Sequence, residues 1–416
     1  MQSGELSTKY GHLFKIVACT LQIIFFPIIF TFISKVCLFC GTKWIRICNI
    51  WIKICSEEMK YFKWLTLVMI WMVQTEAELC PGACTCTKKS GQEKTEVNCH
   101  KKGLRAFPVK LPSDAWILKF GENGITNLQA NILGLVPKIE SVNLEHNAVK
   151  SIHPRAFSGA KTLALLNLYS NHIKNIPPRG FKDLLNLRFL MLGQNQIGTL
   201  KPNMFLGMRN LSELDLPENA LTVLPSNTFK PLIALKVLDL SLNRIQKISP
   251  KAFTGLRHLM FLNLDNNSLK TLPAGAFKPL SSLEMLVLDN NLLSTLRPPM
   301  FGGLAGLQEL YLRNNDLEHL PSDVFKNMPR LSQLALSGNR LKAVDGNMLA
   351  QIPSLKKLHL HGNPWLCDCN IFPLVQWMKQ TNVTLSPQEA LKCDTPLELK
   401  KKTLSSLQES KLLCHL

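Results

Sequence analysis

The sequence predicts an α/β solenoid whose short strands form one curved parallel sheet, with a cysteine cap at each end. Three observations predict it. Asparagine recurs every 24 residues without an insertion, the apolar residues around it keep the same spacing, and cysteines cluster just outside both ends of the periodic region. A fixed period of this length marks a repeat array, in which each unit is too small to bury its own apolar side and shares a core with its neighbours.

The chain opens on a segment that does not belong to the array. Residues 1–77 hold two apolar stretches, Ile16 to Ser34 and Trp64 to Val73. Lys60 and Lys63 precede the second, and Thr75, Glu76 and Ala77 follow it. A basic start, a short apolar run and small residues before a cut are the layout of a secretory signal peptide. Residues 59–77 are therefore read as a signal peptide that begins at Met59. The first stretch is long enough to span a bilayer. Lys35, Lys43, Arg46 and Lys53 follow it, against Lys9 and Lys15 before it, which would hold the following chain in the cytosol. Residues 1–58 are read as an upstream extension or alternative leader. From Glu78 onward the chain has 40 basic and 25 acidic residues and eight of the 13 cysteines.

The first cap, 78–103, contains Cys80, Cys84, Cys86 and Cys99. The array, 104–366, is defined by Asn123, Asn147, Asn171, Asn195, Asn219, Asn243, Asn267, Asn291, Asn315, Asn339 and Asn363, which give eleven repeats of 24 residues. In one unit Leu163, Leu166 and Leu168 precede Asn171, Ile173 and Ile176 follow it, and Phe181 and Leu184 complete it. The pattern before each Asn predicts a short strand with inward Leu residues. The Asn should turn inward too, because a buried amide needs hydrogen-bond partners. A Phe column runs through Phe157, Phe181, Phe205, Phe229, Phe253, Phe277, Phe301 and Phe325, with Leu133 and Leu349 at its ends. It predicts a second spine beneath the convex side. Pro177, Pro225, Pro273 and Pro321 mark alternate units. Eleven strands at about 4.8 Å make a sheet roughly 50 Å long.

The second cap, 367–416, contains Cys367, Cys369, Cys393 and Cys414. Leu374, Trp377 and Met378 are spaced as the apolar face of a short helix on the last repeat. A metal site is the rival use of such cysteines. An exported chain, an even count and placement at the ends favour disulfides, and spacing alone allows three pairings in each cap. With no apolar span or lipid-anchor tail after the cap, the expected product is soluble and extracellular.

These motifs resemble the leucine-rich repeat family in its extracellular 24-residue form, flanked by N- and C-terminal cysteine caps. The resemblance implies a horseshoe with its sheet on the concave face. It also implies the pairing Cys80–Cys86, Cys84–Cys99, Cys367–Cys393 and Cys369–Cys414. Among secreted members the chain is most similar to the plasma group: leucine-rich alpha-2-glycoprotein, the carboxypeptidase N regulatory subunit and the beta-type phospholipase A2 inhibitor. The run from Leu360 to Cys369 and the ending Leu412-Leu413-Cys414 are similar to the carboxypeptidase N subunit in particular.

Nothing in the sequence marks an enzyme or a cofactor site. There is no Gly-x-Ser-x-Gly, no His-Glu-x-x-His and no phosphate-cradling glycine loop. His359 and His361 share a strand face as metal ligands would, and are read as a solvated pair. A rigid sheet without a pocket is a binding platform. Its central outward positions hold Glu213, Asp215, Glu218, Asp239, Asp265, Glu284, Asp289 and Glu309 against only Arg188, Lys236 and Arg313. Tyr169, Phe189, Met191, Phe261, Met285, Val287 and Tyr311 are interleaved with them. An acidic floor with aromatic anchors suits a basic protein ligand. Lys182, Lys230, Lys278 and Lys326 fall at one convex position in alternate repeats, with Lys400, Lys401 and Lys402 in the second cap. Such a surface suits sulfated glycans, and an exported chain makes these a better polyanion than nucleic acid. Asn210, Asn266 and Asn382 open glycosylation sequons, and a glycan on Asn266 would screen one rim of the concave face.

The expected function is a secreted, non-enzymatic binder that captures, and through capture inhibits, a basic extracellular protein. Similarity to the beta-type inhibitor implies a basic secreted phospholipase A2. The alternatives are a scaffold subunit of a circulating enzyme such as carboxypeptidase N, and a matrix protein that binds collagen or glycosaminoglycan.

Overall fold

Within the repeat array each strand pairs with the residues 24 positions further on, so Leu214 lies beside Leu238, Leu262, Leu286 and Leu310 in turn. The sheet has fourteen strands among the described residues of this computed structural model, which are 80–88, 91 and 94–408. We number its strands β1 (Thr85–Lys88), β2 (Thr95–Asn98), β3 (Ala115–Lys119), β4 (Ser141–Asn143), β5 (Leu165–Asn167), β6 (Phe189–Met191), β7 (Glu213–Asp215), β8 (Val237–Asp239), β9 (Phe261–Asn263), β10 (Met285–Val287), β11 (Glu309–Tyr311), β12 (Gln333–Ala335), β13 (Lys357–His359) and β14 (Thr384–Leu385). All neighbours pair in parallel except β1 and β2. The eleven repeat strands, β3 to β13, are thus extended by two strands of the first cap and one of the second. The leader, the apolar stretches within 1–77, and Cys414 lie outside the described residues. Among those residues, no helix is long and apolar enough to cross a membrane.

The ladder asparagines face inward as expected, and they do more than satisfy their own turns. Asn195 donates from Nδ2 to the Leu192 carbonyl of its own turn at 3.1 Å, and to the Leu168 carbonyl of the preceding repeat at 2.9 Å. Its Oδ1 accepts the Ile173 N–H of that preceding repeat at 2.9 Å. The same three bonds run from Asn123, on Phe120, Cys99 and Leu104, to Asn363, on Leu360, Leu336 and Leu341. Each amide therefore pairs backbone groups that no strand reaches, and fixes the offset between repeats.

The Phe column forms the expected second spine. Phe181, Phe205, Phe229, Phe253 and Phe277 have no exposed surface. From Phe205 to Phe325 successive rings stack, with centroids between 5.7 and 6.5 Å apart. The alternation seen in the prolines has a packing partner. Gly207, Gly255 and Gly303 adopt φ of 91°, 96° and 98° and lie against the backbone of Lys182, Lys230 and Lys278. A Cβ on Gly255 would come within 2.7 Å of the Lys230 carbonyl oxygen. The convex side thus repeats every two units, a lysine turn nesting on a glycine turn.

Both caps cover core that the array would expose. Cys80–Cys86 and Cys84–Cys99 tie β1 and the chain before it to the end of β2, and Cys367–Cys393 ties the last turn to the chain after the cap helix. Cys369 is also disulfide-bonded, and its expected partner lies outside the described residues. Helix α1 (Gly346–Ala350) replaces the convex turn of the last repeat, with Asp345 capping it by accepting the Asn347 N–H at 2.8 Å. Helix α2 (Phe372–Gln380) packs on α1, and Gly346 permits this because a Cβ there would run into the Pro373 carbonyl. Leu374 and Met378 are buried as the helical spacing predicts. Trp377 packs half-buried against the same core beside Gly346, and Val375 adds a buried position.

Truncating one ring of the spine opens a cavity between two neighbours that cannot close over it. Phe229→Ala should lower unfolding stability by about 3–5 kcal/mol, measured by chemical denaturation. An unchanged midpoint would mean that the spine does not hold the repeats together.

Candidate binding face

Successive side chains on a strand point to opposite faces, so the first and third residue of each three-residue strand look outward over the concave surface. The parallel register then places the chemistry in columns. Phe189, Glu213, Val237, Phe261, Met285 and Glu309 stand side by side in one column, and Met191, Asp215, Asp239, Asn263, Val287 and Tyr311 in the next. A third column follows the strand ends and contains Tyr169, Asp265, Asp289 and Arg313. All of the outward residues in the first two columns are half-buried.

The structure brings Glu213, Asp215 and Asp239 together. Asp215 lies across from Asp239 and two residues along from Glu213 on the same face. Asp239 accepts the Ser241 N–H at 2.8 Å. None of the three has a cationic partner among the described residues. Burial first, and then the charges of Glu213 and Asp239, push the Asp215 carboxyl up from its usual 3.8 to about 7. Phe189 stands beside Glu213, and Val237, Phe261 and Met285 form a cross-strand apolar strip beyond it.

The other predicted residues form separate groups. Glu218 is exposed and accepts from Gln194 of the preceding repeat at 3.1 Å. Tyr169 occupies space left by Gly193, where a Cβ would meet the ring at 3.0 Å, and stacks edge-on with His146. Burial, and next the charge of Glu218, raises the Tyr169 hydroxyl pKa. Tyr311 donates to Glu309 at 2.5 Å and accepts from Gln333 at 3.0 Å, and burial and that carboxylate push its pKa up to about 12. Asp265 is half-buried and accepts from Asn290 at 2.8 Å.

Asp289 is not an open acid. Only 5% of its side chain is exposed. Its Oδ1 accepts the Arg313 N–H at 2.6 Å, and its Oδ2 accepts the guanidinium Nε at 2.7 Å. Burial raises its pKa, and the Arg313 bonds act against that rise. The guanidinium lies 5.0 Å from the Tyr311 ring centre. Residue types alone did not reveal this pairing. Its signal is the spacing, since residues 289 and 313 differ by one repeat and therefore sit on adjacent turns. The floor is consequently less acidic at its C-terminal end than a count of carboxylates suggests.

The histidine pair also differs from the expectation. His359 and His361 are half-buried, with ring centres 6.3 Å apart. The His359 Nδ1–H donates to the Ser386 carbonyl at 3.0 Å, and burial pulls its pKa down. Among the described residues, no group of three or more His, Cys, Asp or Glu side chains is placed to hold a metal ion. The convex Lys182, Lys230, Lys278 and Lys326 are exposed. So are Asn210, Asn266 and Asn382. Asn266 adopts φ of 55° at the concave rim, next to the ladder Asn267, and Asn210 donates to the Leu185 carbonyl at 3.0 Å.

A rigid parallel sheet with graded charge and anchor side chains defines a repeat-built protein-interaction module. The chain belongs to the Leucine rich repeat family, whose pattern matches residues 117–173, 161–221, 209–269, 257–317 and 305–364. The Leucine rich repeat N-terminal domain matches residues 80–112. Leucine-rich repeat-containing protein 3 of Mus musculus is 37% identical over 80 residues, 19% of this chain and 30% of that protein. Platelet glycoprotein Ib alpha chain of Canis lupus familiaris is 29% identical over 107 residues, 20% of this chain and 16% of that protein. The chain thus spans less than a third of the length of each of these two relatives. Among solved structures, a chain from the octameric complex of Latrophilin 3, Unc5D and FLRT2 (LRR) superposes with a TM-score of 0.68 at 27% identity, over 81% of this chain and all of that one.

Removing the guanidinium leaves the Asp289 carboxylate buried without a cation, held only by the backbone N–H of residue 313. Arg313→Leu should cost roughly 1–3 kcal/mol at neutral pH. Without Arg313 the folded-state pKa of Asp289 rises further above its unfolded value, so stability is lost as pH increases between the two. The deficit should therefore shrink as pH falls toward about 4. An equal deficit at both pH values, by denaturant titration, would rule out the ion pair as its source.

Proposed function

We propose that the protein is a secreted, non-enzymatic binder that captures a basic extracellular protein on its concave face, and that capture inhibits that protein. The observation behind this reading is the Glu213, Asp215 and Asp239 group, three neighbouring carboxylates with no cation of their own. Placing like charges together is unfavourable in the free protein. A partner lysine or arginine relieves it, and the loss of repulsion adds to the attraction. Phe189, Val237, Phe261 and Met285 beside the acids supply the apolar contact that charge alone lacks. Similarity to the beta-type phospholipase A2 inhibitor makes a basic secreted phospholipase A2 the first partner to try. A glycan on the exposed Asn266 would stand at the rim near Asp265 and direct the partner to the opposite rim. The leader read at 59–77 supports export.

The exposed convex lysines favour a second reading, a matrix protein that binds sulfated glycans. They recur every second repeat, in the nested lysine turns. A scaffold role, as in carboxypeptidase N, is a further outcome of the same experiment.

The test is capture from plasma and tissue secretions on residues 78–416, with a Glu213→Gln, Asp215→Asn, Asp239→Asn variant beside it. Asp289 is left intact because it holds Arg313. A basic protein retained by the parent and lost from the variant is the expected result. Retention of the same partners by both proteins would overturn the concave reading. Retention on heparin at physiological salt would favour the matrix role, and a salt-resistant stoichiometric complex with a circulating enzyme the scaffold role.

Binding should also be linked to protons. Asp215 titrates near 7, and a cationic partner favours its charged form. Complex formation then releases a proton, and affinity should rise with pH between about 6 and 8. In Asp215→Asn that slope should flatten, as read by titration calorimetry in buffers of different ionisation enthalpy. A slope unchanged by the substitution would place the proton elsewhere.

A further inference from the structure

The Phe spine stops one repeat short of the first cap. Leu133 takes the position that Phe157 fills in the next unit, and Phe107 turns instead onto Phe120, with ring centres 4.9 Å apart. Near this end of the stack a cleft of about 380 Å³ opens between residues 105–111 and 126–136. Phe107, Val109, Ile132, Leu135 and Val136 line it, and Arg105 is its one charged lining residue. Val109 is 90% exposed and Leu135 70%, one on each lining segment.

The two lining segments and their flanks carry basic residues and no acidic ones. Residues 101–110 and 126–138 contain Lys101, Lys102, Arg105, Lys110 and Lys138 and no Asp or Glu. Lys101 is held by Glu122 at 3.0 Å. Arg105 is exposed and has no acidic partner among the described residues. A mainly apolar cleft of a few hundred Å³ with one charged lining residue has the form of a small-molecule site.

We propose that this cleft binds a single-chain anionic amphiphile, a long-chain fatty acid, with its carboxylate on Arg105 and its chain between the segments bearing Val109 and Leu135. Charge complementarity selects the head group, since the site offers one unpaired guanidinium and no carboxylate. Burying the chain covers the two exposed apolar side chains, which water otherwise meets. The site is separate from the concave acids and independent of their role.

The test is titration of the full secreted chain with a fluorescent long-chain fatty acid below its micelle concentration, followed by displacement with palmitate. Saturable one-site binding is expected. Arg105→Gln should weaken it at least about tenfold, the loss of one charge-assisted contact. Leu135→Asp should abolish it, while thermal unfolding confirms that this exposed substitution leaves the fold intact. Leu397→Asp, at a still more exposed residue of the second cap, should change nothing. Palmitate methyl ester should bind weakly and be indifferent to Arg105→Gln. Absence of saturable binding by the parent would overturn the proposal, as would equal binding by Arg105→Gln and Leu135→Asp. Sedimentation with anionic phospholipid vesicles without fatty-acid uptake would overturn it in favour of a membrane surface. Exclusive binding of acidic apolar peptides would do so in favour of a protein ligand.

Discussion

The inward asparagine at the end of each strand sets the geometry on which the rest depends. A single amide bonds its own turn and the turn before it, using two carbonyls and an N–H that lie beyond the strand pairs. Those backbone groups are buried, so leaving them unmatched would cost more than an ordinary surface bond contributes. An insertion or deletion in one unit would displace the amide from all three partners at once. That constraint explains the unbroken period of 24, and it has a consequence for function. Residues one period apart become neighbours, so the chemistry of the face is laid out in columns along the sequence.

The apolar side of each unit obeys the same register but ends differently. In the middle, rings stack on rings and lysine turns nest on glycine turns, which pairs the units two by two. At the C-terminal end a short helix and the fully buried Trp365 take over from the spine. At the N-terminal end the spine gives way to Leu133 and the displaced Phe107, and the join is imperfect. A periodic core is self-filling only where a unit has two equal neighbours. Its departures from close packing therefore fall at the ends, where caps of different sequence must match it.

Much of this was legible in the sequence. The period fixed strands, ladder and spine, and family resemblance supplied a disulfide pairing that the three described disulfides follow. What escaped was decided by depth and contact rather than by face. Asp289 and Asp215 occupy outward positions and look equivalent in a pattern, yet one is sealed under Arg313 while the other meets only carboxylates. Alternation placed His359 outward, but it could not show that the Ser386 carbonyl of the cap would reach its ring. Helical spacing named Leu374, Trp377 and Met378, which all pack on the core, and missed Val375. The N-terminal cleft had no motif at all. Its trace in the sequence is a run of basic residues beside apolar Val109 and Leu135.

The contrast between those two aspartates bears on how the face works. A carboxylate that the protein needs for its own stability is given a cation within the fold, as Asp289 is given Arg313. Asp215 is held against Glu213 and Asp239 with no such cation, and the result is a proton bound part of the time near neutral pH. Repeat folds can tolerate this, because stability is spread over many similar interfaces and one unfavourable group weakens only its own neighbours. The unfavourable group is then relieved only by a charge from outside. A structural role for the three acids would predict compensation somewhere nearby, and the adjacent outward positions offer Met191, Phe189, Val237 and Asn263 instead. Those residues provide contact area without neutralising charge, which is the arrangement expected of a surface that is completed by its partner.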